Sequence, residues 1–376
     1  MQNTAILYDV SEYLQWKQRL LAERYAYAFA DGTFFTQLLT YCLKYTMRTI
    51  QSCLIGIYQD GEHIENGNSK NTSEKSIRMS ASSETWQLGS QTVQVSHLEK
   101  RYWPQAGFTK GDMLHYYRQI AHTALPYFKD RPVTLRFFPE GVSGESYYLR
   151  DCPDSAPDWL RRVPYRPKTG THPVPLPLID TAAGLIWFAN KGAIEFHLWS
   201  SHVPDLTQPD QAIFDLDPGD TASFTDVREA ALRLHDKLEQ AGVTAYLKTS
   251  GGRGLHIYVP LAAGYTFERV RSWVKAVGQQ LATTYPDLIA IAQGPTHLGG
   301  RVTIDPGQNS VGRNTAAPYT LRASTAHPTV STPLSWEELD AGNIRPADLT
   351  PSVVLERVQR LGDSFAPVLT TDQHIA

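Results

Sequence analysis

Two periodicities divide the chain. Over residues 11 to 58, Leu14, Leu21 and Tyr25, then Leu38, Leu39, Leu43, Met47 and Ile50, recur at helix-like spacings and predict helices, with Asp31-Gly32 breaking the region in two. From Asp60 to about Gln91 aliphatic residues thin out and Gly, Asn, Ser, Glu and Thr take over, the composition of a polar connector. The pattern thus predicts a helical N-terminal extension over 1–60, a polar linker over 61–91 and the main folded domain over 92–376.

Beyond residue 91 short β-like runs mix with helical stripes. Val133 to Phe137, Leu185 to Ala189, Ile194 to Leu198 and Leu255 to Leu261 are predicted as strands, and Gly111 to Ala124 as a helix. A second helix is expected from Asp226 to Gln240, with Val227, Ala231, Leu234 and Leu238 on one face and Gly242 just past its end. A third spans Phe267 to Tyr285 with the stripe Val270, Val274, Val277 and Leu281. Strands and helices without strict βαβ alternation indicate an α+β fold, helices packed on a mixed or antiparallel sheet.

Composition narrows the class. The 376 residues are 41% hydrophobic and 19% charged, which excludes a disordered chain, and 35 Lys and Arg against 38 Asp and Glu leave a formal charge of −3. No global basic field exists, so any polyanion must be held by local convergence of cations. Cys42, Cys53 and Cys152 form no CxxC pair and no zinc spacing, which fits a reducing cytosol. No export signal or membrane-spanning run is read, and a cytoplasmic protein is expected.

The chemistry concentrates after residue 190. In Ala212-Ile213-Phe214-Asp215-Leu216-Asp217-Pro218-Gly219, strand alternation turns Asp215 and Asp217 to one face and Phe214 and Leu216 to the other. Two close carboxylates repel unless a cation sits between them, and oxygen ligands suit Mg²⁺ or Mn²⁺. On pattern alone, turn carboxylates beside Pro218-Gly219 account for the pair equally well. Asp305 ends a similar run, Val302-Thr303-Ile304-Asp305, and three strand-end carboxylates are what a two-metal phosphoryl-transfer site needs.

Ser250-Gly251-Gly252-Arg253-Gly254 reads either as a phosphate cradle of glycine N–H groups, serine hydroxyl and guanidinium, or as a glycine-rich turn with a surface arginine. It leads into a strand on which His256 and Tyr258 share a face. His197 stands in an apolar strand with Glu195 on its own face, the setting of a structural histidine as much as of a ligand. Arg313 and Arg322 follow Asp305 within reach of a triphosphate, and Tyr147-Tyr148-Leu149-Arg150 has the composition of a base-stacking platform, although packed tyrosines and surface arginines explain both.

Taken in order, these segments carry a resemblance. Ala106-Gly107-Phe108-Thr109-Lys110-Gly111-Asp112, Arg131-Pro132-Val133-Thr134-Leu135, Phe138-Pro139-Glu140-Gly141-Val142, Glu195-Phe196-His197, Phe214-Asp215-Leu216-Asp217-Pro218-Gly219, Ser250-Gly251-Gly252-Arg253-Gly254-Leu255-His256, Ala317-Pro318-Tyr319-Thr320-Leu321-Arg322 and Ser331-Thr332-Pro333-Leu334 resemble the polymerase domain of bacterial DNA ligase D. That domain is the non-homologous end-joining branch of the archaeo-eukaryotic primase superfamily, and the likeness runs from about Gln91 to Leu369.

The resemblance implies a primase-like catalytic core with an RRM-like half. It also implies transfer of a nucleotide from an NTP or dNTP to a primer 3′-hydroxyl with two divalent ions, Mn²⁺ or Mg²⁺. By position Asp215, Asp217 and Asp305 match the metal ligands; His197, Ser250, Gly251, Gly252, Arg253, His256, Arg313 and Arg322 fall where the family holds the nucleotide. Tyr147 and Tyr148 stand where two phenylalanines stack on template bases, and Lys110, Arg136 and Arg150 near where a downstream 5′-phosphate is held. Arg253 and Arg150 replace a usual Lys, Leu298 falls where an arginine is common, and Pro306-Gly307 replaces a more usual aromatic.

The expected function is a DNA-directed primase-polymerase of gap filling and end repair, working at the nucleoid on DNA with gaps, overhangs or 5′-phosphate ends. Ku and a separate DNA ligase are the partners the family implies, and no membrane is. A primase of a mobile element, a non-catalytic DNA-end-binding scaffold and a metal-dependent nuclease are the alternatives that unprimed synthesis, binding without incorporation and nucleotide-free degradation would reveal.

Overall fold

A computed structural model describes residues 83–167, 172–292, 299–324 and 326–375. The expected helical extension and Leu298 lie outside the described residues. Ser80–Tyr165 and Val174–Ala376 form one unit, built on two main sheets.

The chain enters through a hairpin, β1 (Ser83–Leu88) and β2 (Gln91–Ser96). Trp86, Leu88, Val93 and Val95 alternate inward, and Gly89, at φ 64°, takes the left-handed conformation that the two-residue turn requires. Polar composition had predicted a connector up to residue 91. Its last residues instead make a strand, because four alternating apolar positions suffice to pin one face to the core.

Helix α1 (Lys110–Phe128) opens with a capping box between Thr109 and Asp112 and buries Met113, Leu114, Tyr117, Ile120 and Ala121. It packs against α2 (Ala182–Asn190), whose first turn is capped by Thr181 accepting from Gly184 N–H. This second helix corrects the strand expected over Leu185 to Ala189. A short, fully apolar run carries no periodicity, and burial of both the α1-facing and hairpin-facing sides decides for helix.

The first sheet orders β11 (Asn314–Ala316), β5 (Ala193–Trp199), β3 (Val133–Phe137) and β4 (Tyr147–Leu149), all antiparallel. The second orders β9 (Ile289–Ile291), β10 (Val302–Ile304), β6 (Gln211–Pro218), β8 (Leu255–Pro260), β7 (Tyr246–Thr249) and β12 (Pro333–Leu334). Only β9 and β10 run parallel. Helices α3 (Phe224–Gln240) and α4 (Phe267–Thr284) pack on β6. The α3 stripe Val227, Ala231, Leu234 and Leu238 is buried as expected, behind a Ser223–Asp226 capping box, and Gly242 follows with φ 70°.

Register then fixes the chemistry. Residues directly opposite in an antiparallel ladder share a face. Leu247, Ile257 and Phe214 form a buried apolar row, whereas the next residues, Lys248, His256 and Asp215, form a row on the other face. Asp217 and Thr303 make the following row on that same face. In the first sheet Glu195, Arg136 and Tyr148 are aligned across three strands, with His197 two residues on from Glu195.

Candidate active site

Asp215 is pulled two ways. Its Oδ1 is buried and, among the described residues, accepts no hydrogen bond, although His256 Nε2 lies 3.3 Å away. Burial pushes the carboxyl up to about 6, against the lowering pull of Lys248 and Arg322. Such an oxygen is held ready for a cation, and the all-oxygen pair Asp215 and Asp217 suits Mg²⁺ or Mn²⁺. Asp305 is brought alongside, its N–H donating to Asp215 C=O at 3.3 Å, but its Oδ1 accepts from Gly307 N–H at 2.8 Å in a turn. Among the described residues no three acidic, histidine or cysteine side chains are grouped to hold a metal ion.

Sequence reading missed the next residue in the row. Lys248 is fully buried, with its Nζ 2.8 Å from His256 Nδ1, 2.6 Å from Ser331 Oγ and over the Tyr258 ring. Burial, reinforced by Arg322, holds this amine well below the ordinary ammonium range, and His256 is likewise held down by burial and by Lys248. The signal for Lys248 was one cation in the otherwise apolar run Tyr246-Leu247-Lys248.

The glycine segment closes on itself. Ser250 Oγ accepts the N–H groups of Gly252 and Gly254, each at 3.1 Å, so two donors expected to meet an anion are turned onto the hydroxyl. Arg253 points away from its own loop, donating to Gly219 C=O at 3.0 Å and Ala222 C=O at 3.1 Å, where it braces the turn that follows Asp217. Gly251, at φ 74°, lies under Arg322, and a Cβ there would collide with Arg322 Cγ.

Arg322 is where the two sheets meet. Its charge acts on Asp215, Lys248 and His256 of one and on Glu195 and His197 of the other. Glu195 is buried, accepting from His197 Nε2 at 3.0 Å and from Ala323 N–H at 3.0 Å. Burial works to raise this carboxyl, but the His197 hydrogen bond and the Arg322 charge overcome it and lower it to about 2.

The outer face is aromatic and basic. Tyr147 and Tyr148 are 51% and 59% exposed, so each ring presents part of its surface to solvent. Tyr147 stacks on Phe137, and Arg136 lies between the Phe138 and Tyr148 rings at 4.9 Å and 5.4 Å. Arg150 and Arg313 are exposed, and the structure does not draw Arg313 into the Asp215 row. Lys110 is buried with its Nζ donating to Ser96 C=O at 2.6 Å; burial and the charges of Lys100 and Lys191 lower it to about 8. Lys100, itself paired with Glu140 at 3.0 Å, and Lys191 stand near enough to act on it, a grouping of cations that no local motif announced.

The LigD primase-polymerase domain, as a family, matches residues 109–365 of this chain. The chain belongs to that family. The multifunctional non-homologous end joining protein LigD of Mycolicibacterium smegmatis is 34% identical over 286 residues, covering 76% of this chain and 37% of that protein. The bifunctional non-homologous end joining protein LigD of Bacillus subtilis is 27% identical over 274 residues, 73% of this chain and 43% of that protein. The chain thus spans less than half the length of these curated relatives. The solved polymerase domain of Mycobacterium tuberculosis Ligase D, in complex with DNA, matches with a TM-score of 0.69 at 32% identity, over 74% of this chain and 98% of that one. The α+β core expected of the LigD family is therefore the fold observed. Among the described residues no helix is long and apolar enough to cross a membrane.

Proposed function

We propose that this LigD-family chain is a DNA-directed nucleotidyltransferase that extends primer 3′-hydroxyls in gap filling and end repair. The observation that carries this reading is the buried Asp215 Oδ1, which accepts no hydrogen bond among the described residues, one row from Asp217 and within the field of Arg322.

Asp215 and Asp217, with Asp305 from the adjoining turn, would hold Mn²⁺ or Mg²⁺. Bound there, such ions supply Lewis acidity to the triphosphate and acidify the attacking hydroxyl. The chain's own contribution is electrostatic preorganisation and exclusion of water. Arg322 and His197 face the nucleotide, and Ser250, whose acceptor side is filled by Gly252 and Gly254, keeps its O–H to donate to a sugar or phosphate oxygen. His256 lies beside Asp215, while Arg253 keeps Gly219 and the strand end that would bear the metal in place. Gly251 and Gly252 leave room for Arg322 and the ligand, while Arg313, exposed and outside the Asp215 row, would reach only the outer phosphates.

Tyr147 and Tyr148 offer faces to template bases, with Arg136 and Arg150 beside them. Lys110, Lys100 and Lys191 form the local cation cluster that a downstream 5′-phosphate needs in a chain of net charge −3. Ku, a separate ligase and a nucleoid setting accompany this role.

The test is extension of a labelled primer on a gapped duplex bearing a downstream 5′-phosphate, with Mn²⁺ and rNTPs or dNTPs, beside Asp215→Ala/Asp217→Ala. Incorporation abolished in the double variant supports the reading. DNA binding without incorporation by the wild type replaces it with an end-binding scaffold, and degradation without nucleotides with a nuclease.

A further inference from the structure

We propose that Glu195 is a positioning residue of this site, the shared acceptor that aims His197 and Arg322 at the nucleotide and Arg136 at the DNA. The inference rests on the nucleotidyltransferase reading above and adds a residue to it.

The geometry carries it. Glu195 is buried, and both of its oxygens are engaged: Oε2 by His197 Nε2 at 3.0 Å, Oε1 by Ala323 N–H at 3.0 Å. Arg136 Nη1 and Arg322 Nε each lie 3.6 Å from that same Oε1. The two guanidiniums are therefore within about 7 Å of each other, a separation at which like charges repel unless a counter-ion sits between them. One belongs to the stacking platform, where Arg136 lies under Tyr148, and the other lies on Gly251 beside the Asp215 row. Cross-strand register puts Glu195 opposite Arg136, so this bridge is built into the sheet.

A carboxylate only accepts hydrogen bonds. It therefore requires a hydrogen on His197 Nε2, and burial, which holds the imidazole below its ordinary range, leaves Nδ1 with its lone pair. A glutamine in its place has a neutral amide that fits the space. It removes both the counter-ion and the constraint on the imidazole.

The test is Glu195→Gln, assayed by steady-state primer extension and by ¹⁵N imidazole NMR of the full chain. If Glu195 positions the site, kcat falls by about tenfold or more, because misaimed groups cost rate. KM for the nucleotide does not rise, since a negative charge has been removed beside a triphosphate. A role confined to stability lowers the unfolding midpoint and leaves kcat of the folded enzyme within about twofold of wild type, and that result overturns the proposal. The NMR arm needs no variant: wild-type His197 is expected as the neutral Nε2–H tautomer, and an Nδ1–H tautomer overturns the proposal even if Glu195→Gln fails to fold. A wild type that incorporates no nucleotide overturns the reading of the site itself. Incorporation with an unaffected variant overturns the role of Glu195 alone.

Discussion

The Lys248 amine donates to Ser331 Oγ at 2.6 Å and lies 2.8 Å from His256 Nδ1, with no exposed surface. Ser331 uses its own hydrogen on Thr249 C=O at 2.8 Å, which makes its oxygen an acceptor for the amine. Lys248→Met keeps the apolar stem and removes the donor, so it leaves buried acceptors unsatisfied and is expected to cost about 1–3 kcal/mol. Lys248→Ala also opens a cavity and should cost about 2–5 kcal/mol. Urea unfolding of the three proteins checks the order.

If Asp215 and Asp217 hold the cation, Mn²⁺ binds the folded state and stabilises it by mass action, about 2.7 kcal/mol at a hundredfold excess over Kd. Thermal melts in chelator and in saturating Mn²⁺ should separate for the wild type. They should coincide for Asp215→Asn/Asp217→Asn. Coincident wild-type melts would count against the pair as ligands.

Glu195 makes acid stability measurable. Its carboxyl sits at about 2 in the folded protein against an ordinary 4.5, because the His197 hydrogen bond and Arg322 outweigh burial. The unfolded chain takes up this proton first as pH falls. Its stabilisation is fully present above 4.5, erodes through the interval below, and is gone once pH passes about 2. The shift corresponds to roughly 3 kcal/mol. Glu195→Gln should flatten this part of the stability profile, read as denaturant midpoints between those limits.

Much of the core was legible in the sequence because its signals are local. The α3 stripe, the Asp215 and Asp217 alternation and the turn glycine after α3 are each set within a few residues. The role of Lys248 was hidden for the opposite reason: its partners, His256 and Ser331, are 8 and 83 residues away and are assembled by strand register. Arg253 shows a third case. Its charge and glycine setting suggested a phosphate, but the loop's curvature carries the guanidinium to Gly219 and Ala222 carbonyls 34 and 31 residues away. Leu185 to Ala189 failed as a strand since a uniformly apolar segment says that it is buried and not how it is wound.

The glycines of the loop are not equivalent. A Cβ at Gly254 would collide with the Leu216 carbonyl and lie 2.9 Å from Asp217 Oδ1, against backbone that cannot yield. A Cβ at Gly252 meets only Ser250 Oγ, at 3.5 Å. Gly254→Ala should therefore displace Asp217, costing about 1–3 kcal/mol of stability together with primer extension. Gly252→Ala should change stability by about 0.5 kcal/mol or less. Parallel melts and extension assays distinguish them.

Tyr147 and Tyr148 separate binding from folding. Both rings are more than half exposed, so truncation removes little buried area, and Tyr148→Ala should leave the unfolding midpoint nearly unchanged. Base stacking on an aromatic is worth about 1–3 kcal/mol, so the same variant should weaken primer-template binding by about 5-fold to 150-fold. Tyr147 stacks on Phe137 with ring centroids 5.3 Å apart and planes 5° from parallel, which holds its ring in a fixed plane. Phe137→Leu should consequently weaken DNA binding through a buried residue behind that ring. Fluorescence anisotropy with labelled template measures both, and DNA affinity unchanged in Tyr148→Ala would remove the platform from the site.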